Sequence, residues 1–439
     1  MNAETHGKTL LQKHPVLGII LVAVLLRVAT AVYMGDQVVE LPGIFDQISY
    51  HNLALRVVDG YGFSFGEPWW PITPANAPTA HWSFLYTLYL ALIYALFGPH
   101  PIIARILQAI VIGVAHPYII YRIGEKIFNK NVGLIVAAIT AIYIYFFYYG
   151  AALMTEPFYI TGVLFNLFLA IQLAESKDRK QDLKLGIALG FSIGLTLLLR
   201  QVFLLFIPFL FLWIWIARFH RSRNLPAVST ALSALIIALL VLPITFYNHA
   251  RFDRFVLLNT NSGYALFWAN HPFYGTQFIP ILPTEEYQNM IPEELRHLDE
   301  AALDQELLKR GLQFITDDPG RYVLLSFSRI PHYFMIWYSP ESGTLSNISR
   351  IASFGIFLPF MLYGLVLTFK RWSHPWALLL SPEGLLILFI VVYSGIHILT
   401  WTLIRYRLPV DAVLILFAAL GLLDLGERFA VHYRKPVIQ

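Results

Sequence analysis

Six charged side chains fall where a largely apolar chain can least accommodate charge. Asp46 follows the first apolar run, Glu156 lies in Leu153-Met-Thr155-Glu156-Pro157, and Arg105, Arg200, Arg405 and Arg407 sit at the ends of later runs. An ionisable residue at a membrane face is a candidate for function, because burying it is costly. A guanidinium at headgroup height suits a phosphate, which it can bind bidentately. One carboxylate is enough to deprotonate an attacking hydroxyl when the leaving group is already a phosphate stabilised by cations. Glycosidases differ in needing two carboxyl groups. The expected chemistry is therefore transfer from a lipid-phosphate donor, with Asp46 as base and Arg200, Arg405, and Arg407 or Arg105, on the phosphate.

Each of these residues also has a purely structural reading. Asp46 is placed to N-cap a helix starting at Gln47, and Glu156 before Pro157 is placed to meet a helix dipole. Arg407 stands one turn from Asp411, Arg405 and Arg407 are both able to snorkel, and Arg200 beside Gln201 suits an interfacial anchor. Arg27, inside the first run, is expected to pair with another helix. The aromatic run Tyr143-Ile-Tyr145-Phe-Phe-Tyr148-Tyr149 reads as an interfacial belt. What favours the functional reading is that the candidates share one side of the membrane.

That sidedness follows from the elements that carry them. The chain has 439 residues, 57% hydrophobic, 15% aromatic and 13% charged, with a mean hydropathy of +0.61. It is too apolar for a water-soluble globule and reads as an all-α, polytopic membrane protein. The formal net charge of +4 comes from short basic clusters between apolar runs, which signals topology rather than nucleic-acid binding. There is no cysteine, which removes disulfides and thiolate chemistry. Neither a metal nor another cofactor is expected, and no internal repeat is evident.

Lys8 and Lys13 precede the run Val16–Leu26, and Ala29-Thr-Ala31 resembles a cleavage site. Arg27 and renewed apolar character to Met34 favour an uncleaved anchor. Trp82–Phe97 is short against a hydrocarbon core of about 30 Å, and whether it spans decides the side of every later loop. Treating it as interfacial makes Ile102–Ile120, Val132–Tyr148, Phe158–Leu173, Leu185–Leu199, Val202–Ile216 and Ala227–Phe246 successive spans. Arg122, Lys126, Lys130, Lys177, Arg179, Lys180, Lys184, Arg218, Arg221 and Arg223 then all lie inside, as the positive-inside rule requires. Residues 248–346 read as a large outer loop with an acidic helix over Pro292–Thr316 and an interfacial helix over Arg321–Tyr338. Spans resume at Ile351–Phe369, Leu385–Trp401 and Leu408–Leu425. About ten spans result, with both ends inside and Arg434 and Lys435 in the tail.

In the first outer loop, Asp46 is followed by Tyr50, Ala54 and Gly60-Tyr-Gly62-Phe63, then Pro78-Thr-Ala80-His-Trp82, Leu85-Tyr86 and Leu96-Phe-Gly98. Further on come Arg105, Thr155-Glu156-Pro157, Arg200, Asn259-Thr-Asn261-Ser-Gly263 through Trp268-Ala-Asn270-His-Pro272, and Arg405-Tyr406-Arg407-Leu408-Pro409. In order and sidedness the chain resembles the polyprenyl-phosphate-sugar-dependent glycosyltransferases of the GT-C fold, the group that includes protein O-mannosyltransferases and the lipid A aminoarabinose transferase. The resemblance implies a single GT-C membrane domain over 1–439, with a first outer loop at 36–100 containing juxtamembrane helices, the large loop at 248–346 and C-terminal spanning helices at 347–439. It also implies catalytic roles for Asp46 and Glu156, and substrate contacts by Tyr50, His81, Asn259, Asn261 and Asn270. Two motifs depart from the common pattern: His81-Trp82-Ser83 replaces His-Pro-Pro or Lys-Pro, and the acidic-proline pair is Glu-Pro where Asp-Pro is frequent.

The expected activity is inverting transfer of a sugar from undecaprenyl or dolichyl phosphate to a hydroxyl of a lipid, glycan or protein on the outer face of a bacterial inner membrane. Partners are the donor, the acceptor and membrane lipids, with no nucleic acid. A transporter or flippase of an anionic isoprenoid lipid is the alternative. It predicts polar or broken-helix features at the midplane, where this sequence offers little besides Arg27. A scaffold retaining the fold without activity is a third.

Overall fold

The computed structural model describes residues 15–41, 45–340 and 342–434. Lys8, Lys13 and Lys435, which entered the reading above, lie outside them, as does Gly43 in the stretch leading to Asp46. The described chain is nearly all helical, and its extended pairing is limited to the isolated bridges Ser64–Pro78 and Trp69–Thr73.

Helix α1 (Pro15–Met34) is followed by α2 (Asp46–Val58), α3 (Phe84–Phe97), α4 (Pro101–Ile127), α5 (Lys130–Ile142), α6 (Ile144–Ala151), α7 (Glu156–Glu175) and α8 (Arg179–Leu199). Next come α9 (Ile207–Ser222), α10 (Ala227–Phe252), α11 (Ser262–Asn270), α12 (Thr284–Met290), α13 (Glu300–Asp317) and α14 (Pro319–Tyr333). The last are α15 (Thr344–Arg350), α16 (Ile356–Arg371), α17 (Pro375–Leu379), α18 (Pro382–Leu399) and α19 (Leu408–Arg434).

Among the described residues 8 helical segments are long and apolar enough to cross a membrane, or 9 if the pair α5–α6, bent by 55°, forms one span. The protein is an integral membrane protein. Two of the ten expected spans take another form. Val132–Tyr148 breaks at Tyr143, whose extended backbone separates α5 from α6 and whose hydroxyl donates to Asp411 (2.9 Å). Val202–Ile216 divides into a 3-10 turn, Gln201–Leu205, and the 16-residue α9, restarted by Pro208 in its first turn. The 14 residues of α3 reach about 21 Å, short of a bilayer core. One stripe of α3, Leu88, Leu92 and Leu96, is exposed, while Tyr86, Leu90 and Tyr94 are buried.

The helix at α19 is the centre of the bundle, with 72% of its most apolar window buried, whereas α1 lies at the edge with 17%. Helices meet closely where small residues permit it. Gly186, Gly190 and Gly194 of α8, four residues apart, line one face against α10. An added Cβ would come within 2.5 Å of the Ser229 carbonyl oxygen, 2.8 Å of the Ser233 carbonyl oxygen and 2.5 Å of the Leu240 side chain respectively. The Ser233 hydroxyl donates across the seam to Gly186 O (2.7 Å). Arg27, buried in α1, donates to Thr140 O of α5 and to Ala23 O, so it does join another helix, through carbonyls rather than a carboxylate.

The two ends of the bundle carry different charge patterns. At one end Glu175 binds Lys126 (2.6 Å) and Arg221 (3.1 Å), and Asp182 binds Arg218 (3.0 Å). The opposite ends of α7 and α8, which run antiparallel, hold Glu156 and Arg200. Over that end lie the segment 59–83 and the helices of the large loop, joined by an aromatic cluster of Trp70, Tyr264, Trp268, Tyr287 and Trp401.

Candidate active site

Four residues far apart in sequence come together at that end. Arg405 Nη1 lies 2.8 Å from Asp46 Oδ2, its Nε lies 3.9 Å from Glu156 Oε1, and Arg200 Nη2 lies 2.5 Å from the same Glu156 oxygen. Acid and base thus alternate in a chain Asp46–Arg405–Glu156–Arg200. Glu156 is buried at 1% exposure, while Asp46 (24%), Arg200 (18%) and Arg405 (14%) keep some access to the outside. The site is a charge-balanced set of two carboxylates and two guanidinium groups with one open side at Asp46.

Local structure explains each position. Asp46 opens α2 in its first turn with Phe45 as the N-cap residue, so the Asp46 carboxylate does not cap the helix and reaches Arg405. Glu156 occupies the first turn of α7 with Pro157 beside it. There Thr155 Oγ1 donates to Glu156 Oε2 (3.4 Å) and accepts from Arg200 Nε (2.8 Å). Arg200 leaves the end of α8 in an extended conformation, and its guanidinium lies 5.8 Å from the Tyr159 ring and 5.4 Å from that of Tyr406. Arg405 is in the 3-10 turn Ile404–Arg407 that leads into α19. Its Nε is buried and, among the described residues, has no hydrogen-bond acceptor.

Tyr50, one turn along α2 from Asp46, packs edge-on against Trp82 (5.6 Å) and Tyr86 (5.0 Å). Burial, and next the negative charge of Asp46, raise its phenol above the ordinary range, so it stays protonated. His81 and Asn259 join the first loop to the large one. Asn259 Nδ2 donates to Ala80 O (3.0 Å) and Trp82 O (2.8 Å). Asn261 accepts from Gln201 Nε2 (2.6 Å), which also donates to Asn259 O (3.1 Å).

Three expected site residues stand apart from the ionic chain. Arg407 is fully buried against Asp411 (2.8 Å), donates to Tyr333 O (2.7 Å), and its guanidinium lies 3.5 Å over the Phe354 ring. Of the alternatives weighed for it, the pair with Asp411 is the one formed. Arg105 is also fully buried and gives its protons to Ala151 O (3.1 Å), Gln37 O (2.9 Å) and Gln47 Oε1 (3.2 Å). It therefore braces the residue next to Asp46. Asn270 donates to Leu266 O (2.9 Å) and accepts from Arg329 Nη2 (3.0 Å), inside the large loop.

Other contributors were not singled out as site residues by the sequence. Thr155 and Gln201 resemble any polar residue at a helix end. Glu300 belongs to an acidic helix that looks solvated, yet it is only 6% exposed. It accepts from the Thr73 hydroxyl (2.8 Å), the Ala80 N–H (2.8 Å) and the Thr260 hydroxyl. Among the described residues no group of three or more His, Asp or Glu is placed to share a metal ion.

Residues 81–247, which contain His81, Glu156 and Arg200, match the family model described as dolichyl-phosphate-mannose-protein mannosyltransferase. No curated protein matches the sequence. Among solved structures, the archaeal oligosaccharyltransferase AglB from Archaeoglobus fulgidus, in complex with an inhibitory peptide and a dolichol-phosphate, has a TM-score of 0.59 at 17% identity, covering 97% of this chain and 52% of that one. The apo form of the oligosaccharyltransferase from the same organism gives 0.58 at 15% identity, covering 97% and 52%. ArnT from Cupriavidus metallidurans bound to undecaprenyl phosphate gives 0.44 at 12% identity, covering 95% and 79%. The chain spans about half the length of the oligosaccharyltransferases it matches, and at these identities the likeness is one of fold. The chain is thus an all-helical membrane bundle of GT-C fold whose residues 81–247 are similar to the dolichyl-phosphate-mannose-protein mannosyltransferase family model.

Proposed function

We propose that this protein is an inverting glycosyltransferase that moves a sugar from undecaprenyl or dolichyl phosphate to a hydroxyl of a lipid, glycan or protein. The observation that carries the reading is the ionic chain Asp46–Arg405–Glu156–Arg200, assembled from four separate segments at one end of the bundle. The fold likeness and the family match support a polyprenyl-phosphate donor.

In the proposed step the acceptor oxygen attacks the anomeric carbon on the face opposite the phosphate, and its proton passes to Asp46. The bond from that carbon to the phosphate oxygen breaks, and the electron pair leaves with the phosphate. Arg200 and Arg405 stabilise the charge that develops there. Two carboxylates balance the two guanidinium groups before substrate arrives, so an incoming phosphate competes with Asp46 for Arg405. Arg405 Nε, 3.9 Å from Glu156 and without a hydrogen bond among the described residues, offers it a donor, and release of Arg405 leaves Asp46 free to act as base. Glu156 keeps Arg200 and Arg405 positioned.

The site belongs on the extracytoplasmic face of an inner or plasma membrane in this reading, because the basic loops around Lys126, Lys177 and Arg221 fall at the other end. The whole chain then acts as one membrane domain, with 36–100 and 248–346 as the outer loops and 347–439 as its C-terminal part. The deciding assay uses purified protein in liposomes with polyprenyl-phosphate-linked sugars. Asp46→Asn is expected to lower turnover by about 10²–10⁴ while donor binding persists. Undiminished transfer by that variant overturns the assignment, and lipid flux without a glycosylated product points to a transporter.

A further inference from the structure

His81 is restrained at one ring nitrogen and open at the other. Its Nδ1 lies 3.0 Å from the Thr260 carbonyl oxygen. A carbonyl can only accept, so Nδ1 carries the proton and Nε2 holds the lone pair. The position of Thr260 is itself fixed: its N–H donates to Ala80 O (3.2 Å) and its hydroxyl to buried Glu300. Glu300 takes the Ala80 N–H (2.8 Å) on the same oxygen and the Thr73 hydroxyl (2.8 Å) on the other. The clamp between the two loops therefore sets the His81 tautomer.

Among the described residues no hydrogen bond is formed by Nε2, and the ring is half-buried, edge-on to Trp82 (5.3 Å) and Tyr264 (5.5 Å). Burial lowers the His81 pKa, against the opposing charges of Glu300 and Asp46, so the imidazole is neutral at neutral pH. A fixed lone pair of this kind accepts from O–H groups and repels phosphate and carboxylate oxygens. His81 borders the ionic chain, since its carbonyl accepts from Asn261 Nδ2 (3.5 Å) and Asn261 in turn accepts from Gln201 (2.6 Å), the residue after Arg200.

We infer that His81 is a specificity-determining residue whose Nε2 accepts a hydrogen bond from a hydroxyl of the sugar carried on the polyprenyl phosphate. The donor is thereby oriented with its phosphate at Arg200 and Arg405 and its sugar against the clamp formed by Thr73, Ala80, Thr260 and Glu300. The inference rests on the glycosyltransferase reading and adds to it a residue that senses the sugar separately from the phosphate.

The test compares binding of bare undecaprenyl and dolichyl phosphate with their mannosyl, glucosyl, galactosyl and arabinosyl forms, using purified full-length wild type, His81→Ala and His81→Gln. Wild type is expected to bind at least one glycosylated carrier more tightly than the bare one. His81→Ala should lose about three- to tenfold of that preference, the range for one hydrogen bond, with affinity for the bare carrier unchanged. His81→Gln, which retains an acceptor oxygen, should keep most of it. An unchanged preference in His81→Ala, an equal loss for bare and glycosylated carriers, or a wild type indifferent to the sugar overturns the inference while leaving the phosphate site standing. A wild type that binds neither bare carrier overturns the underlying glycosyltransferase reading, and this inference with it.

Discussion

Arg405 and Arg407 are two residues apart and have opposite fates. Both belong to the 3-10 turn Ile404–Arg407, in which successive side chains step by about 120°, so the two leave it in different directions. Arg405 reaches Asp46 and Glu156, whereas Arg407 is enclosed with Asp411. Arg405→Ala is expected to weaken binding of undecaprenyl phosphate by about 10- to 100-fold, as for the loss of charge-assisted hydrogen bonds, with little change in thermal stability. Arg407→Ala should instead destabilise the protein by about 3–5 kcal/mol, because Asp411 is left buried without its cation. Parallel lipid-binding and thermal-unfolding measurements on the two variants separate these outcomes. Asp46, Glu156, Arg200 and Arg405 were legible in the sequence because charge at the end of an apolar run is rare and costly. Arg407 met the same criterion, and only its direction out of the turn distinguished it.

At the scale of elements, the α8–α10 seam depends on backbone approach. Gly190→Leu is expected to cost about 1–3 kcal/mol of stability, read as a lower unfolding temperature in detergent, since its side chain would enter space held by Ser233 and Ile236. In the large loop, α11 and α13 meet at Asp304. Its Oδ1 accepts the N–H groups of Gly263 (2.8 Å) and Tyr264 (3.2 Å). Burial raises the Asp304 pKa to about 7 from the ordinary 3.8. The folded carboxyl therefore stays neutral while the unfolded one ionises. Its contribution to stability is complete below about pH 4 and is lost as the pH rises through about 7. Unfolding temperatures measured from pH 4 to 8 should show that fall in wild type and a flatter profile in Asp304→Asn. A sequence reading could place α13 as an acidic helix but not identify its buried acids, because Glu300 and Asp304 resemble their solvated neighbours until the facing loop covers them.

For the whole molecule, the proposed sidedness is directly measurable because the chain has no cysteine. Single cysteines replacing Asp59 in the first loop and Lys177 between α7 and α8 should differ in sealed cells. A membrane-impermeant maleimide should label the first and reach the second only after permeabilisation. The reverse pattern would put the ionic chain on the cytoplasmic side. The same bundle shows why the number of spans was harder to read than its class. Hydropathy registers how long an apolar run is, but not the break at Tyr143 or the 3-10 turn before α9.

The sequence by itself determined that this is a helical membrane protein, which residues carry charge at its surfaces, and which six could contribute to a phosphate-transfer site. These follow from composition and from the energetic cost of charge in lipid, both local properties of the chain. Tertiary structure alone decided that Arg405 joins Asp46 and Glu156 while Arg407 and Arg105 serve as buried braces, and that Glu300 ties the two loops together around His81. Those outcomes depend on which partner each polar group finds once the helices pack, and apart from Asp411, one turn from Arg407, the partners are dozens to hundreds of residues away.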